Sequence, residues 1–166
     1  HRKGPLFSAD IVVKKLYKNN NFKRLLIKKF NIKNKTNLKH FLKKKILKNK
    51  SNIGQLEKII HPLVRKEMTK FSILHKRKKF LFYEIPLLVE SKLMNYFDII
   101  IFIKAKKKLR LKRFKAKGGN KEIFNIFNNR QLTDKKKKKF SDHVIVNEKN
   151  LNILKKKLFG IIKLYV

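Results

Sequence analysis

The chain has 166 residues and a mass of 20.0 kDa, one domain's worth, and enough to close a hydrophobic core without staples. There is no cysteine, which excludes a disulfide scaffold and any cysteine-ligated zinc or iron–sulfur centre; 42% hydrophobic content excludes a disordered tail. Lys and Arg number 47 against 10 Asp and Glu, a formal charge of +37.

That surplus attracts polyanions, but its make-up argues against a sequence-reading nucleic-acid binder. Forty of the basic residues are Lys and only 7 are Arg, the residue that grips guanine edges and phosphate with two bonds at once. Lys, Asn, Ile and Phe make up over half the chain, and all four have A/T-rich codons, so a biased genome accounts for the excess. A non-catalytic lysine-rich module binding RNA or DNA is the alternative. It requires aromatic side chains interleaved with basic ones on an exposed face. The Phe residues here fall mostly on apolar stripes, as core residues do. Apolar runs are short, such as Ile99 to Ile103, against the roughly eighteen residues of a membrane span. The basic amino terminus lacks the apolar stretch of a signal peptide. A cytoplasmic protein with no membrane partner is expected.

In chain order, Leu6 to Asp10 reads as a short strand, followed by a helix with Ile11, Val12 and Leu16 apolar. Asn19 to Asn21 breaks it. Phe22 to Phe30 is a second helix, and Leu38 to Leu47 a third, capped by Thr36 or Asn37. Ser51 opens a long helix whose apolar stripe runs from Ile53 to Phe71 and which the basic stretch Lys76 to Lys79 ends, with a kink expected at Pro62. Phe80 to Ile85 is a strand stopped by Pro86, and Ser91 to Phe97 a short helix. Asp98 to Lys104 is an apolar, β-branched run that reads as a strand covered on both faces. Lys106 to Lys117 is a basic helix broken by Gly118-Gly119; Lys121 to Gln131 resumes helix. Lys135 to Lys139 reads as solvated surface. His143 to Asn147 is a last strand, and Asn150 to Val166 an amphipathic helix. Strands alternating with helices imply parallel pairing and an α/β/α fold. Ligands bind such folds beyond the carboxyl ends of the strands. That rule points to Asp10, to the segments after Ile85 and Lys104, and to Asn147.

Four ordered segments resemble the dephospho-CoA kinase family. Leu6-Phe7-Ser8-Ala9-Asp10-Ile11 is similar to its strand ending in Asp-Ala-Asp. Leu56-Glu57-Lys58-Ile59-Ile60-His61-Pro62 is similar to its Leu-Glu-x-x-x-His-Pro helix, and Ile85-Pro86-Leu87-Leu88-Val89-Glu90 to its Pro-Leu-Leu-x-Glu turn. Leu111-Lys112-Arg113, Gln131 and Ser141-Asp142-His143-Val144-Ile145-Val146-Asn147 follow its basic lid and Ala-Asp-x-Val-Ile-x-Asn strand. The resemblance implies a single domain over 1–166, a three-layer α/β/α P-loop NTPase fold with a parallel sheet. A helical acceptor-binding insertion would span about 21–76 and a lid about 106–131. It implies transfer of the γ-phosphoryl of ATP, with Mg²⁺, to the ribose 3′-hydroxyl of dephospho-CoA. Another nucleotide kinase of the same fold is the reading nearest to it; His61-Pro62 and the Pro86 to Glu90 turn speak against that one.

Two departures stand out. The family's first strand and phosphate loop, G-x-x-x-x-G-K-S/T, belong before Leu6, and the 166 residues contain no such motif. Residue 1 is His, so the sequence is expected to be an amino-terminally incomplete fragment, inactive as it stands. The first Asp of Asp-Ala-Asp is Ser8 here.

Taken alone, Asp10 reads as a helix N-cap; the resemblance makes it the general base for the ribose hydroxyl. The same resemblance assigns Arg113 and Lys117, four apart on one helix face, to the ATP phosphates, with Arg113 also stabilising the transition state. Asn147 would lie near the adenine. His61, Arg65, Pro86, Leu87, Leu88 and Glu90 would form the acceptor site, Arg65 holding a phosphate of the CoA moiety and Glu90 capping or supporting the pocket. Glu84, at a strand end, would orient Mg²⁺ through water. His40, His61, His75 and His143 show no paired ligand spacing.

Overall fold

The computed structural model describes residues 4–32 and 37–165. The chain divides into two compact units, His1–Pro86 and Leu87–Val166. The described strands form two parallel pairs, one in each unit.

In the first unit β1 (Leu6–Ser8) lies parallel to β2 (Phe82–Glu84), with Leu6 opposite Phe82 and Ser8 opposite Glu84. Between them in sequence come α1 (Ala9–Leu16), α2 (Asn20–Lys29), α3 (Leu38–Lys48) and α4 (Ser51–Leu74). Phe22, Leu26, Phe30, Ile32, Leu38 and Leu42 are buried together, and Leu56, Ile59, Ile60 and Leu63 of α4 pack on them. The spacing of three and four on each helix makes this possible, because it puts the apolar residues on one stripe. Asn side chains start two of these helices. Asn19 Oδ1 accepts from Phe22 N–H at 3.0 Å, and Asn37 Oδ1 from His40 N–H at 3.3 Å. The competing cap, Thr36, lies outside the described residues. The α2 helix ends with Asn31 at φ 48°, which lets the Ile32 N–H return to the Ile27 carbonyl at 3.0 Å and buries Ile32. The rings of Phe7, Phe71 and Tyr83 meet at 5.4 to 5.7 Å, and Ser72 Oγ shares a 2.6 Å hydrogen bond with Tyr83 OH. These contacts fasten α4 to the strand pair. The chain stays helical through Pro62. Pro62 has no N–H to give the Lys58 carbonyl, and both residues are exposed, so water can serve it.

In the second unit β3 (Ile101–Lys104) runs parallel to β4 (His143–Val146), Ile101 opposite His143. Asp142 sets that register: its Oδ2 accepts from Ile100 N–H at 2.7 Å, and its own N–H donates to Ile100 O at 2.9 Å. The helices are α5 (Lys107–Lys115), α6 (Lys121–Arg130), α7 (Asp134–Lys138) and α8 (Leu151–Lys163). Asn120, Thr133 and Asn150 cap the last three through their side chains. The expected helix over Ser91 to Phe97 is only a 3-10 turn at Met94–Tyr96. Before it, residues 87–92 form a tight turn: Ser91 N–H donates to Leu87 O, and Leu93 N–H to Leu88 O. Lys92, at φ 54°, closes that turn the way Asn31 closes α2. The strand expected from Asp98 is shorter, and Ile103 is 45% exposed rather than covered. An unbroken apolar run permits a strand to be covered on both faces; non-local packing decides whether it is.

Among the described residues no helix is long and apolar enough to cross a membrane.

Candidate active site

Asp10 is the second residue of α1, two residues past the end of β1, and is exposed. It is not the N-cap. Ser8 holds that position, its side chain makes no cap bond, and Asp10 lies in the first turn instead. The helix begins earlier than the apolar pattern suggests, because the small Ala9 can be buried as its first residue. A carboxylate in a first turn still faces the positive end of the helix dipole. Glu84, the last residue of β2, is opposite Ser8 in the strand register and is also exposed. Two solvent-facing carboxylates therefore stand at the carboxyl end of one parallel strand pair. His61 and Arg65, four apart on α4, share a helix face; His61 is half-buried and Arg65 exposed. Pro86 is exposed at the end of the first unit.

In the second unit Arg113 and Asn147 come together. Arg113 Nη1 donates to the Asn147 carbonyl at 3.0 Å, and Nη2 to the Lys149 carbonyl at 3.4 Å. Asn147 follows β4 directly, held by its own N–H on Lys104 O at 2.8 Å. Its side-chain Oδ1 is buried with no hydrogen-bond partner, an acceptor left open for a donor. Lys117 does not share a helix face with Arg113, since α5 stops at Lys115. Lys117 is exposed in the turn that Gly118, at φ 80°, completes. Gly119 N–H then reaches back to Phe114 O at 3.0 Å. A side chain at Gly119 would meet the Phe114 ring at 2.1 Å.

Leu87 and Leu88 are half-buried in the turn of residues 87–92, which also carries Glu90. The Glu90 carboxylate is engaged: Oε1 accepts from Leu132 N–H at 2.8 Å and pairs with Lys137 Nζ at 2.9 Å. Here the sequence expectation needs correcting. The run Lys135 to Lys139 is not uniformly solvated; Lys137 is 7% exposed and points inward from α7. A short helix turns each successive lysine by about 100°, so one of the run faces the protein while its neighbours face water.

A family model for dephospho-CoA kinase matches residues 3–152. The chain belongs to the dephospho-CoA kinase family. Members of this family are transferases that phosphorylate dephospho-CoA with ATP to give coenzyme A. Dephospho-CoA kinase of Bartonella henselae is 30% identical over 95% of this chain and 84% of its own length. That of Wolbachia pipientis is 31% identical over 55% of this chain; the match spans about half, 48%, of that relative. Dephospho-CoA kinase from Campylobacter jejuni superposes with a TM-score of 0.61 at 25% identity, over 96% of this chain and 83% of that one. The fold is also that of TT1252 from Thermus thermophilus, with a TM-score of 0.69 at 20% identity and the same coverage. The α/β kinase fold expected from the sequence is borne out.

Phe7, Phe22, Phe30 and Phe124 are buried but Phe127, Phe140 and Phe159 are exposed, so aromatic burial does not decide the matter; it is the family match that disfavours the lysine-rich binding module. Arg110 and Lys137 are residues that sequence reasoning missed. Arg110 Nε donates to Ala105 O at 3.2 Å and Nη1 approaches Gln131 Oε1 at 3.5 Å. Gln131 and Asp142 were visible inside the resembling segments, with no role attached. Lys137 carried no signal, being one Lys of five in a row.

Proposed function

We propose that the protein carries out its family's reaction on dephospho-CoA in the cytoplasm, with residues 1–166 forming one kinase domain that does not turn over by itself, since these residues hold no phosphate-loop motif. The 3′-oxygen of the ribose bonds to the γ-phosphorus of ATP and the bond from that phosphorus to the β–γ bridging oxygen breaks. The hydroxyl proton passes to Asp10, and the products are coenzyme A and ADP. Catalysis of this kind is positioning plus charge neutralisation. The observation that carries the reading is the exposed Asp10 carboxylate just past a parallel strand of a dephospho-CoA kinase-family chain. The open acceptor on buried Asn147 Oδ1 supports adenine recognition, since the exocyclic amine of adenine is a donor. Arg113 and Lys117 supply cationic charge to the ATP phosphates. Arg65 suits a phosphate of the acceptor, with His61, Pro86, Leu87 and Leu88 as the remaining acceptor contacts and residues 21–76 as the helical insertion that carries them. Residues 106–131 form the lid. No specific nucleic acid takes part.

Mg²⁺ is the cation that phosphoryl transfer from ATP calls for. No group of three or more His, Cys, Asp or Glu among the described residues forms a cage for one. Mg²⁺ does not need such a cage, because it keeps water and takes its other ligands from phosphate oxygens and one or two carboxylates. The exposed Glu84 carboxylate at the end of β2 fits that demand, through water. The ion would supply charge to the β- and γ-phosphate oxygens.

The test is a coupled ADP-release assay on the full-length protein. Dephospho-CoA is the expected acceptor; phosphorylation of adenylate or shikimate instead refutes the acceptor assignment. Asp10→Asn should lower kcat about 100-fold or more with a small change in KM, as loss of a general base does. An unchanged kcat removes Asp10 from the mechanism.

A further inference from the structure

The second unit contains a charged cluster of which the phosphoryl-transfer reading uses only Glu90, as a support of the acceptor pocket. Its centre is Lys137, with a side chain 9% exposed, paired at 2.9 Å with a Glu90 side chain 13% exposed. The Lys137 ammonium also donates to Gln131 Oε1 at 3.3 Å and stands 5.8 Å from the centre of the Phe102 ring. Gln131 Oε1 is shared with Arg110. Glu90 Oε1 takes the Leu132 N–H in addition to the ammonium. The far end of α7 is tied down as well, by Ser141 Oγ donating to Lys137 O at 2.8 Å.

Each partner comes from a different piece of chain. Glu90 is on the turn of residues 87–92, Gln131 and Leu132 close α6, Phe102 is on β3, and Arg110 is on α5. One ammonium thereby joins the turn that carries Leu87 and Leu88 to the segment leaving α6. Buried Val89 and Leu93 anchor that turn from the apolar side, and the Glu90–Lys137 pair anchors it from the polar side. It is a single helical turn ended by a non-glycine residue, Lys92, at φ 54°, a conformation a side chain adopts only under constraint. Glu90 Oε2 is buried with no partner, so the carboxylate's place depends on the bonds at Oε1. Burying two charges is not a cheap route to stability, since an apolar pair of similar volume commonly serves as well. Retaining them is explained by what they position.

We infer that Lys137, through Glu90, is a positioning residue that holds the turn of residues 87–92 and, with it, the Leu87–Leu88 part of the acceptor site. The inference rests on the acceptor assignment made above for that turn. Lys137 itself touches no substrate. Its loss frees the turn and weakens acceptor binding equally in ground and transition states, which raises KM and leaves kcat.

The experiment uses the same full-length protein, with two readouts. The variants are Lys137→Met, Lys137→Arg and the pair E90Q/K137M, which leaves no lone buried charge and so folds even where Lys137→Met does not. Kinetics come first. E90Q/K137M should raise KM for dephospho-CoA about tenfold, with kcat within about twofold and KM for ATP little changed. Lys137→Arg, which can still pair with Glu90, should return KM most of the way. Wild-type kinetic constants in E90Q/K137M overturn the inference, as does a fall in kcat alone. Amide hydrogen exchange is the second readout and needs no substrate. The Lys92 and Leu93 amides should exchange about tenfold faster in E90Q/K137M, with the β3–β4 amides unchanged. Unchanged exchange at both overturns the inference. A wild-type chain inactive on dephospho-CoA but with faster exchange in the variant sinks the proposed reaction and leaves the positioning role of Lys137 standing.

Discussion

Replacing Lys137 with Met leaves Glu90 buried beside an apolar chain, still holding the Leu132 N–H but with no counter-charge. The side chains of the pair are 9% and 13% exposed, too covered for water to screen them as it screens a surface pair. Breaking a buried pair from one side costs about 3–5 kcal/mol. Some relaxation of the turn toward solvent reduces this, and about 3 kcal/mol is a fair expectation. For a chain of this length that lowers the melting midpoint by roughly 6–12 °C. The assay is a circular-dichroism melt of Lys137→Met against wild type, with Lys136→Met and Lys138→Met as controls. Both control positions are exposed, so each should stay within about 0.5 kcal/mol of wild type. The pair E90Q/K137M should melt above Lys137→Met, because no charge is stranded and the amide oxygen still accepts from Leu132. A Lys137→Met midpoint indistinguishable from that of Lys136→Met would show that the inward-facing ion pair does not form.

Four further outcomes are expected. Gly118→Ala should cost about 1 kcal/mol, from the φ of 80°, in a urea titration. Gly119→Ala should cost more, about 1–3 kcal/mol, because the new methyl would sit 2.1 Å from a Phe114 ring already packed at 5.8 Å on Phe124; equal effects would discount that contact. Burial pushes the Tyr17 phenol above its ordinary value of 10.0, so the unfolded chain ionises first. Stability from this group is complete below pH 10.0 and is lost as pH rises through that value toward the raised one; Tyr17→Phe should flatten the alkaline arm of a stability-versus-pH curve. Retention of a mixed-sequence RNA on filters should collapse as salt rises and show no sequence preference; salt-resistant, selective binding would revive the nucleic-acid reading.

Much of the candidate site was legible in the residue order. Asp10 and Asn147 at strand ends follow from local periodicity, while the Pro86 to Glu90 turn and the segment from Ser141 to Asn147 were read from the family resemblance. Helix starts at Asn19, Asn37, Asn120 and Asn150 are local in the same sense, since a cap bonds to an N–H three residues ahead. Boundaries fared less well. The end of α5 at Lys115 separates Lys117 from Arg113, and Ser8 rather than Asp10 stands at the head of α1.

What only tertiary structure decided are the partners. Glu90 meets Leu132 and Lys137 across more than forty residues, and Arg113 meets Asn147 across thirty-four. Five identical lysines differ in nothing a local reading can weigh; α7 and its packing on β3 choose Lys137 to be dry and leave Lys136 and Lys138 wet. The physical reason is range. Helix and strand propensity, capping and turn chemistry act between residues close in sequence, whereas burial and charge pairing act between residues close in space.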